Sequence, residues 1–113
     1  MRRAGYDAGF KLGHRREVTA ILVGNDDLAV GVIRGIFDSG RRVPEDVSVI
    51  GFDDQPFTEF LRPARSTVRQ SFPALGRTAV ALLQEQFDVS ASPRQRAVVD
   101  TELVIRESTA PPA

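Results

Sequence analysis

The side chains best placed to do chemistry in this sequence stand at the ends of two short apolar runs. Val47, Ser48, Val49, Ile50 and Phe52 form a mostly β-branched run bounded by Pro44 and Gly51, and it stops at Asp53 and Asp54. Thr19 to Gly24 is a second such run, ending in Asn25, Asp26 and Asp27. Acids gathered at adjacent strand ends suit two kinds of work. They can hydrogen-bond a polar ligand at the carboxyl rim, where open α/β sheets bind, or hold Mg²⁺, a hard cation that prefers oxygen ligands. In the second case Asp53 would be a phosphoacceptor. Such a site also needs a cation near the transferred group, and the one lysine, Lys11, precedes the first run. Serine–histidine hydrolysis has His14 alone to draw on, with no nucleophile elbow; His14 beside arginines is read as solvated surface. The expectation is a binding protein, not an enzyme, with no cofactor and no metal site.

Positioning those residues requires a βαβ unit. Apolar side chains at both odd and even positions of the second run suit a parallel strand covered on both faces. A helix from Asp26 or Asp27 to about Ser39 carries Leu28, Val32, Ile36 and Ala29, Ile33, Phe37 as a broad apolar stripe. Asp26 or Asp27 is read as its cap, Asp54 as a turn residue, and Gly40 as the glycine that ends the helix. Gly31 and Gly35 invite close packing against a sheet or another helix. Before the first strand, Met1 to about Leu12 reads as a helix with Ala4, Ala8 and Leu12 recurring every fourth residue beside Tyr6 and Phe10. After the second strand come Phe57 and Phe60 in a stretch without period, then Arg65 to Gln70 (RSTVRQ) as an extended linker. A helix is expected from about Pro73 to Gln86, with proline in its first turn, and a loop from Phe87 to Arg96 containing Pro93. Val99, Thr101, Leu103 and Ile105 alternate with polar residues as in a half-exposed edge strand over Val98 to Ile105. The tail from Ser108 is small and proline-rich.

At 113 residues the chain is at most one small α/β domain. With 42% hydrophobic and 27% charged residues it has a globular composition. Its formal net charge of zero is not the footprint of an autonomous nucleic-acid binder. Arginine outnumbers lysine heavily, but the arginines are scattered and matched by acids, so they read as solvated surface. No cysteine is present, which excludes a disulfide framework and thiolate metal sites. No apolar run approaches the roughly 18 residues of a membrane span and no signal peptide is visible, so a cytoplasmic location without membrane attachment is expected.

Taken in order, TAILVGNDDLAVG, SGRRVPEDVSVIGFDD, RSTVRQ, LGRTAVALL and ELVIREST resemble the carboxyl-terminal portion of LacI/GalR-type bacterial transcriptional repressors, from about Gly5 to Thr109. The resemblance implies part of a periplasmic-binding-protein-like (type I) lobe: a parallel βαβ core with an additional C-terminal helix and edge strand. It divides the chain into a carboxyl-terminal lobe (1–64), an inter-lobe crossover (65–72), a helix and loop belonging to the other lobe (73–97) and a final strand (98–108). It implies a small, sugar-like effector, and a homodimer or pairing with an intact relative. Operator DNA would be bound through a helix-turn-helix that this chain is expected to lack. By position, Asp53 matches the effector-contacting acid, Asn25 a polar cleft residue, and Gln70 and Phe72 cleft positions near the crossover. Asp53 could accept bonds from two adjacent hydroxyls. Asn25 could donate and accept at once, and Phe72 could cover a sugar's apolar face. Leu28, Val32, Phe57 and Phe60 are the expected dimer-interface residues. A periplasmic sugar-binding protein, which shares the two-lobed fold, is the alternative.

Overall fold

A computed structural model describes residues 1–88 and 95–112. The chain forms two compact units, one built from Met1–Arg69 with Glu102–Ala113 and the other from Gln70–Thr101. The first holds helix α1 (Arg2–Gly13), strand β1 (Ala20–Leu22), helix α2 (Asp26–Asp38), strand β2 (Ser48–Ile50), a 3-10 turn (Pro56–Phe60), strand β3 (Thr67–Arg69) and strand β4 (Glu102–Val104). The second holds helix α3 (Phe72–Gln86).

The βαβ core forms as expected. β1 and β2 run parallel, with Ile21 opposite Val49, and α2 crosses between them. Val23, Ala29, Val32, Ile36, Val47 and Val49 make the buried core, with Leu28 and Ile33 packed at its edge. Burial is one-sided, however. Val47 and Val49 are fully enclosed, whereas Ile50 is half-buried and Leu22 on β1 is 75% exposed. The expectation of a strand covered on both faces is thus met on the α2 side of the sheet.

α1 corrects the expected apolar stripe. Ala4 and Ala8 face solvent, and the buried positions are Gly5, Gly9 and Gly13. Gly5 and Gly9 lie on the Leu28 and Val32 backbone, and Gly31 and Gly35 of α2 lie on the α1 backbone in return: a Cβ on Gly9 would stand 2.1 Å from the Val32 carbonyl oxygen. The helix–helix option for Gly31 and Gly35 is the one realised. α2 stops where expected, with Gly40 at φ +91°.

RSTVRQ is not a linker in its first half. Arg65, Ser66 and Thr67 are buried, and the segment adds beside β2, with Gly51 N–H donating to Ser66 O and Asp53 N–H to Val68 O. β3 also pairs antiparallel with β4, Val68 opposite Leu103. Regular pairing in the last strand covers Glu102–Val104 alone, and Leu103 and Ile105 remain exposed, so the alternation does not mark a buried face here. The small, proline-rich tail begins with a residue tied into the core. Ser108 is completely buried; its hydroxyl donates to Val49 O at 2.6 Å and accepts from Ser66 N–H at 2.8 Å, while Val49 N–H donates to Ser108 O.

In the second unit Ser71 caps α3, its hydroxyl accepting from Ala74 N–H, and Pro73 sits in the first turn. No described residue of α3 is buried, so Val80 and Leu83 present an open apolar side. Most of the expected 87–96 loop, including Pro93, lies outside the described residues.

Candidate functional site

The rim acids come together at the carboxyl ends of β1 and β2. Asn25, Asp27, Asp53, Gln55 and Phe57 line, with Met1, a concavity of about 360 Å³. Each has a local reason to be there. Asn25 is the α2 N-cap: its extended backbone turns Oδ1 back to accept from Leu28 N–H at 2.7 Å, leaving Nδ2 directed at Met1 Sδ, 3.2 Å away. The helix is therefore capped by Asn25, not by Asp26 or Asp27; the cap lies one residue earlier than the nearest acid. Asp27 holds Arg2 of α1 through its Oδ1 at 2.7 Å.

Asp26 does different work. It is completely buried in the first turn of α2. Its Oδ2 accepts from Gln55 N–H at 2.8 Å and its Oδ1 from the Thr67 hydroxyl at 2.9 Å. One carboxylate thus ties the helix start, the segment after β2 and the start of β3. That makes it the anchor of the rim, without access to a ligand.

Asp53 and Asp54 both have positive φ, +108° and +60°, a conformation uncommon outside glycine and most tolerated by Asn and Asp. Backbone strain at consecutive residues costs of order 1–3 kcal/mol each and persists where surrounding structure enforces it. Here the enforcement comes from Asp53 N–H bonded to Val68 O and from Asp54, the hub of a polar lock. Asp54 pairs with Arg69 at 2.7 Å and Arg106 at 2.9 Å and accepts from the Thr58 hydroxyl at 3.1 Å. Burial pushes the Asp54 carboxyl up, but the bonds from Arg69, Arg106 and Thr58, with the Arg106 charge, outweigh it and hold it below the usual range. Asp54 also raises Arg69, which reaches Glu102 on β4 as well. This lock fixes the turn that carries Asp53 on the rim. Asp54 sits in a turn, as expected, but its charged partners Arg69 and Arg106 were not foreseen, since nothing local links residues 15 and 52 positions apart.

Two of the remaining expected residues belong to the second unit. Gln70 begins the second unit and is half-buried, and Phe72 opens α3 and is largely exposed. Among the expected interface residues, Val32 is 3% exposed and belongs to the core, so it cannot meet a partner; the Gly5–Gly9 face of α1 covers it. Leu28 is half-buried against that core, Phe57 borders the rim concavity, and Phe60 is 81% exposed. His14 stands on the surface, its ring edge-on to Phe10 with Nδ1 2.8 Å from the Phe10 carbonyl oxygen. Among the described residues no cluster of metal-ligating side chains is present and no helix is long and apolar enough to cross a membrane.

The periplasmic binding protein-like domain family matches residues 3–109. The chain belongs to that family. Its LacI-type character is equally plain in individual relatives. The chain is 43% identical over 95 residues to the HTH-type transcriptional regulator MalR of Streptomyces coelicolor, covering 84% of this chain and 28% of that protein. It is 41% identical over 90 residues to the HTH-type transcriptional repressor PurR of Pasteurella multocida, covering 80% and 27%. In three dimensions it is similar to the dimeric Lac repressor with an 11-residue C-terminal deletion, at a TM-score of 0.85 and 33% identity over 99% of this chain and 41% of that one. It is also similar to a LacI family transcriptional regulator from Arthrobacter sp. FB24 in complex with lactose, at 0.82 and 37%, over 97% and 42%. The resemblance and the fold class read from the sequence are thus borne out. The chain spans less than half the length of each of these proteins, and they are transcriptional regulators rather than enzymes.

Proposed function

We propose that this chain is effector-binding and dimer-forming substance of a LacI-type transcriptional regulator, without catalytic activity. The observation that carries the proposal is the rim concavity, which Asp53 and Asn25 both line beyond the ends of parallel strands. A carboxylate and an amide there supply what a polyol needs, charge-assisted acceptance plus a group that both donates and accepts. A relative solved with lactose and another solved with ribose support a sugar as the ligand class. Gln70 and Phe72 are proposed as further contacts on the strength of their positions in the family pattern, and Phe57 and Phe60 as partner-facing residues. Operator DNA would be reached through other parts of a regulator of this type, in the cytoplasm. In such a regulator the effector and the operator are coupled through the state of the sensing domain.

The test is a thermal melt of the purified chain with lactose, ribose and a panel of related sugars. A ligand that binds the folded state alone must raise the transition temperature. A rise with one sugar that grows with its concentration, absent in Asp53→Ala, is the expected result. A melt that no polyol moves would count against the proposal.

A further inference from the structure

The turn that forms the rim directs its backbone donors inward. Asp53 N–H donates to Val68 O at 2.9 Å, Asp54 N–H to the Thr67 hydroxyl at 3.3 Å, and Gln55 N–H to the buried Asp26 carboxylate at 2.8 Å. Three consecutive amides are thus engaged by the body of the unit, and none of them is left to cradle an anion as a backbone nest does. The start of α2 is closed in the same way. A helix N-terminus ordinarily favours negative charge. Here Asp26 N–H donates to Phe52 O and Leu28 N–H to Asn25 Oδ1, and Asp26 and Asp27 stand in the first turn, where they offset the helix dipole.

The cations near the rim are likewise engaged. Asp27 holds Arg2 at 2.7 Å, and Asp54 holds Arg69 and Arg106 at 2.7 and 2.9 Å. No arginine or lysine is among the described residues that line the concavity. These are the carboxylates Asp27 and Asp53, the amides Asn25 and Gln55, and the apolar Met1 and Phe57. Asn25 Nδ2 donates to a thioether, Met1 Sδ at 3.2 Å, a weak acceptor that a ligand oxygen can displace. The lining therefore presents two carboxylates, two amides able to bond hydroxyls, and apolar surface. The whole chain has a formal net charge of zero, so discrimination by charge at the rim is local.

Resting on the effector reading of this rim, we infer that it selects its ligand by charge: it favours a sugar bearing an amino group, whose ammonium Asp53 receives, takes neutral sugars more weakly, and rejects sugar acids and sugar phosphates. An ammonium brings three donors to a rim rich in acceptors, and its bonds to a carboxylate are charge-assisted. A carboxylate or phosphate would instead meet Asp27 and Asp53, with the nearby guanidiniums and the amides of the turn already engaged.

The test is an NMR titration of the full chain with glucose, glucosamine and glucuronate, and with the same trio in the galacto series. It is run at about pH 6, below the range in which an α-amino group titrates. The signals followed are the Asn25 side-chain amide and the Phe57 ring, both on the lining. Saturable shifts are expected in at least one series. The amino sugar should bind roughly three- to tenfold tighter than its hexose, and the uronate at least roughly tenfold more weakly. Raising the salt concentration should narrow that spread. In Asp53→Asn the amino sugar should lose its advantage over the hexose, because the charge that receives it is gone. A uronate that binds as tightly as its hexose, an amino sugar that binds no tighter than its hexose, or an advantage unchanged in Asp53→Asn would each overturn the inference while leaving the effector site in place. If neither amino sugar binds, the inference also falls, and the melts with lactose and ribose decide separately whether the effector reading survives.

Discussion

Replacing Asp26 should damage this protein more than replacing any rim acid that faces solvent. The carboxylate is completely buried and accepts two bonds, from Gln55 N–H at 2.8 Å and from the Thr67 hydroxyl at 2.9 Å. Bonds to a charged acceptor contribute about 1.5–3 kcal/mol each, and a stranded buried donor costs a similar amount. Asp26→Ala removes both acceptors, strands the Gln55 N–H, and takes away the counter-charge nearest Arg65. The expected loss is about 4 kcal/mol, the lower part of that summed range. Asp26→Asn is gentler. Its oxygen can accept from Gln55 N–H while its amide donates to a rotated Thr67 hydroxyl, so the loss is that of the charge, about 1–2 kcal/mol. With an m-value of about 2 kcal/mol/M, the alanine variant lowers the urea midpoint by about 2 M and the asparagine variant by less than 1 M. Thr67→Val should cost about 1–2 kcal/mol and, combined with Asp26→Ala, should fall well short of additivity, since the two share one bond. Equilibrium urea unfolding of the four variants measures all of this. An Asp26→Ala loss below 1 kcal/mol, or strict additivity with Thr67→Val, would refute the anchor assigned to Asp26.

Other consequences follow from the same contacts. Asp54 has a folded pKa below its unfolded value, so its stabilisation is complete above the unfolded value of about 3.9 and is lost as pH falls through the folded one. The stability gap between the parent and Asp54→Asn should hold steady from about pH 5 to 7 and narrow below about pH 4; a gap that widens in acid would contradict the Arg69–Arg106 lock. Gly9→Ala forces a methyl against the Val32 carbonyl and should cost about 3 kcal/mol by thermal or urea unfolding. Gly76→Ala meets no atom within 4 Å on α3 and should stabilise by about 0.5–1 kcal/mol. Ser108→Ala strands the Ser66 N–H and a Val49 carbonyl bond, for about 1–3 kcal/mol in the same assay.

What the sequence disclosed was local. The β-branched runs, their polar ends and the α2 periodicity are short-range patterns, and they yielded the parallel pair β1–β2, the helix between and the rim concavity that Asn25 and Asp53 both line. The helix cap was misassigned because Asn25, Asp26 and Asp27 are all competent caps, and one residue of register decides between them. The glycine face of α1 was hidden because hydrophobic periodicity sees side chains, while Gly5, Gly9 and Gly13 pack by backbone. Asp26 with Thr67, Asp54 with Arg106 and Ser108 with Val49 join residues 41 to 59 positions apart. No periodicity encodes such pairs. RSTVRQ illustrates the same limit: polar letters suggest exposure, yet Ser66 and Thr67 are buried because long-range partners accept from and donate to their polar atoms, and Arg65 is buried beside them.

The most direct measurement is calorimetric titration of the parent and of Asp53→Asn with the sugar that most raises the melting temperature. Asparagine suits the substitution because it tolerates the φ of +108° at this position, so the fold is retained while the charge is removed. The account requires saturable binding to the parent and roughly ten- to a hundredfold weaker binding to the variant, the worth of charge-assisted bonds to a polyol. Equal affinity of the two proteins, or a parent that binds none of the sugars, would contradict the assignment of the rim as the effector site.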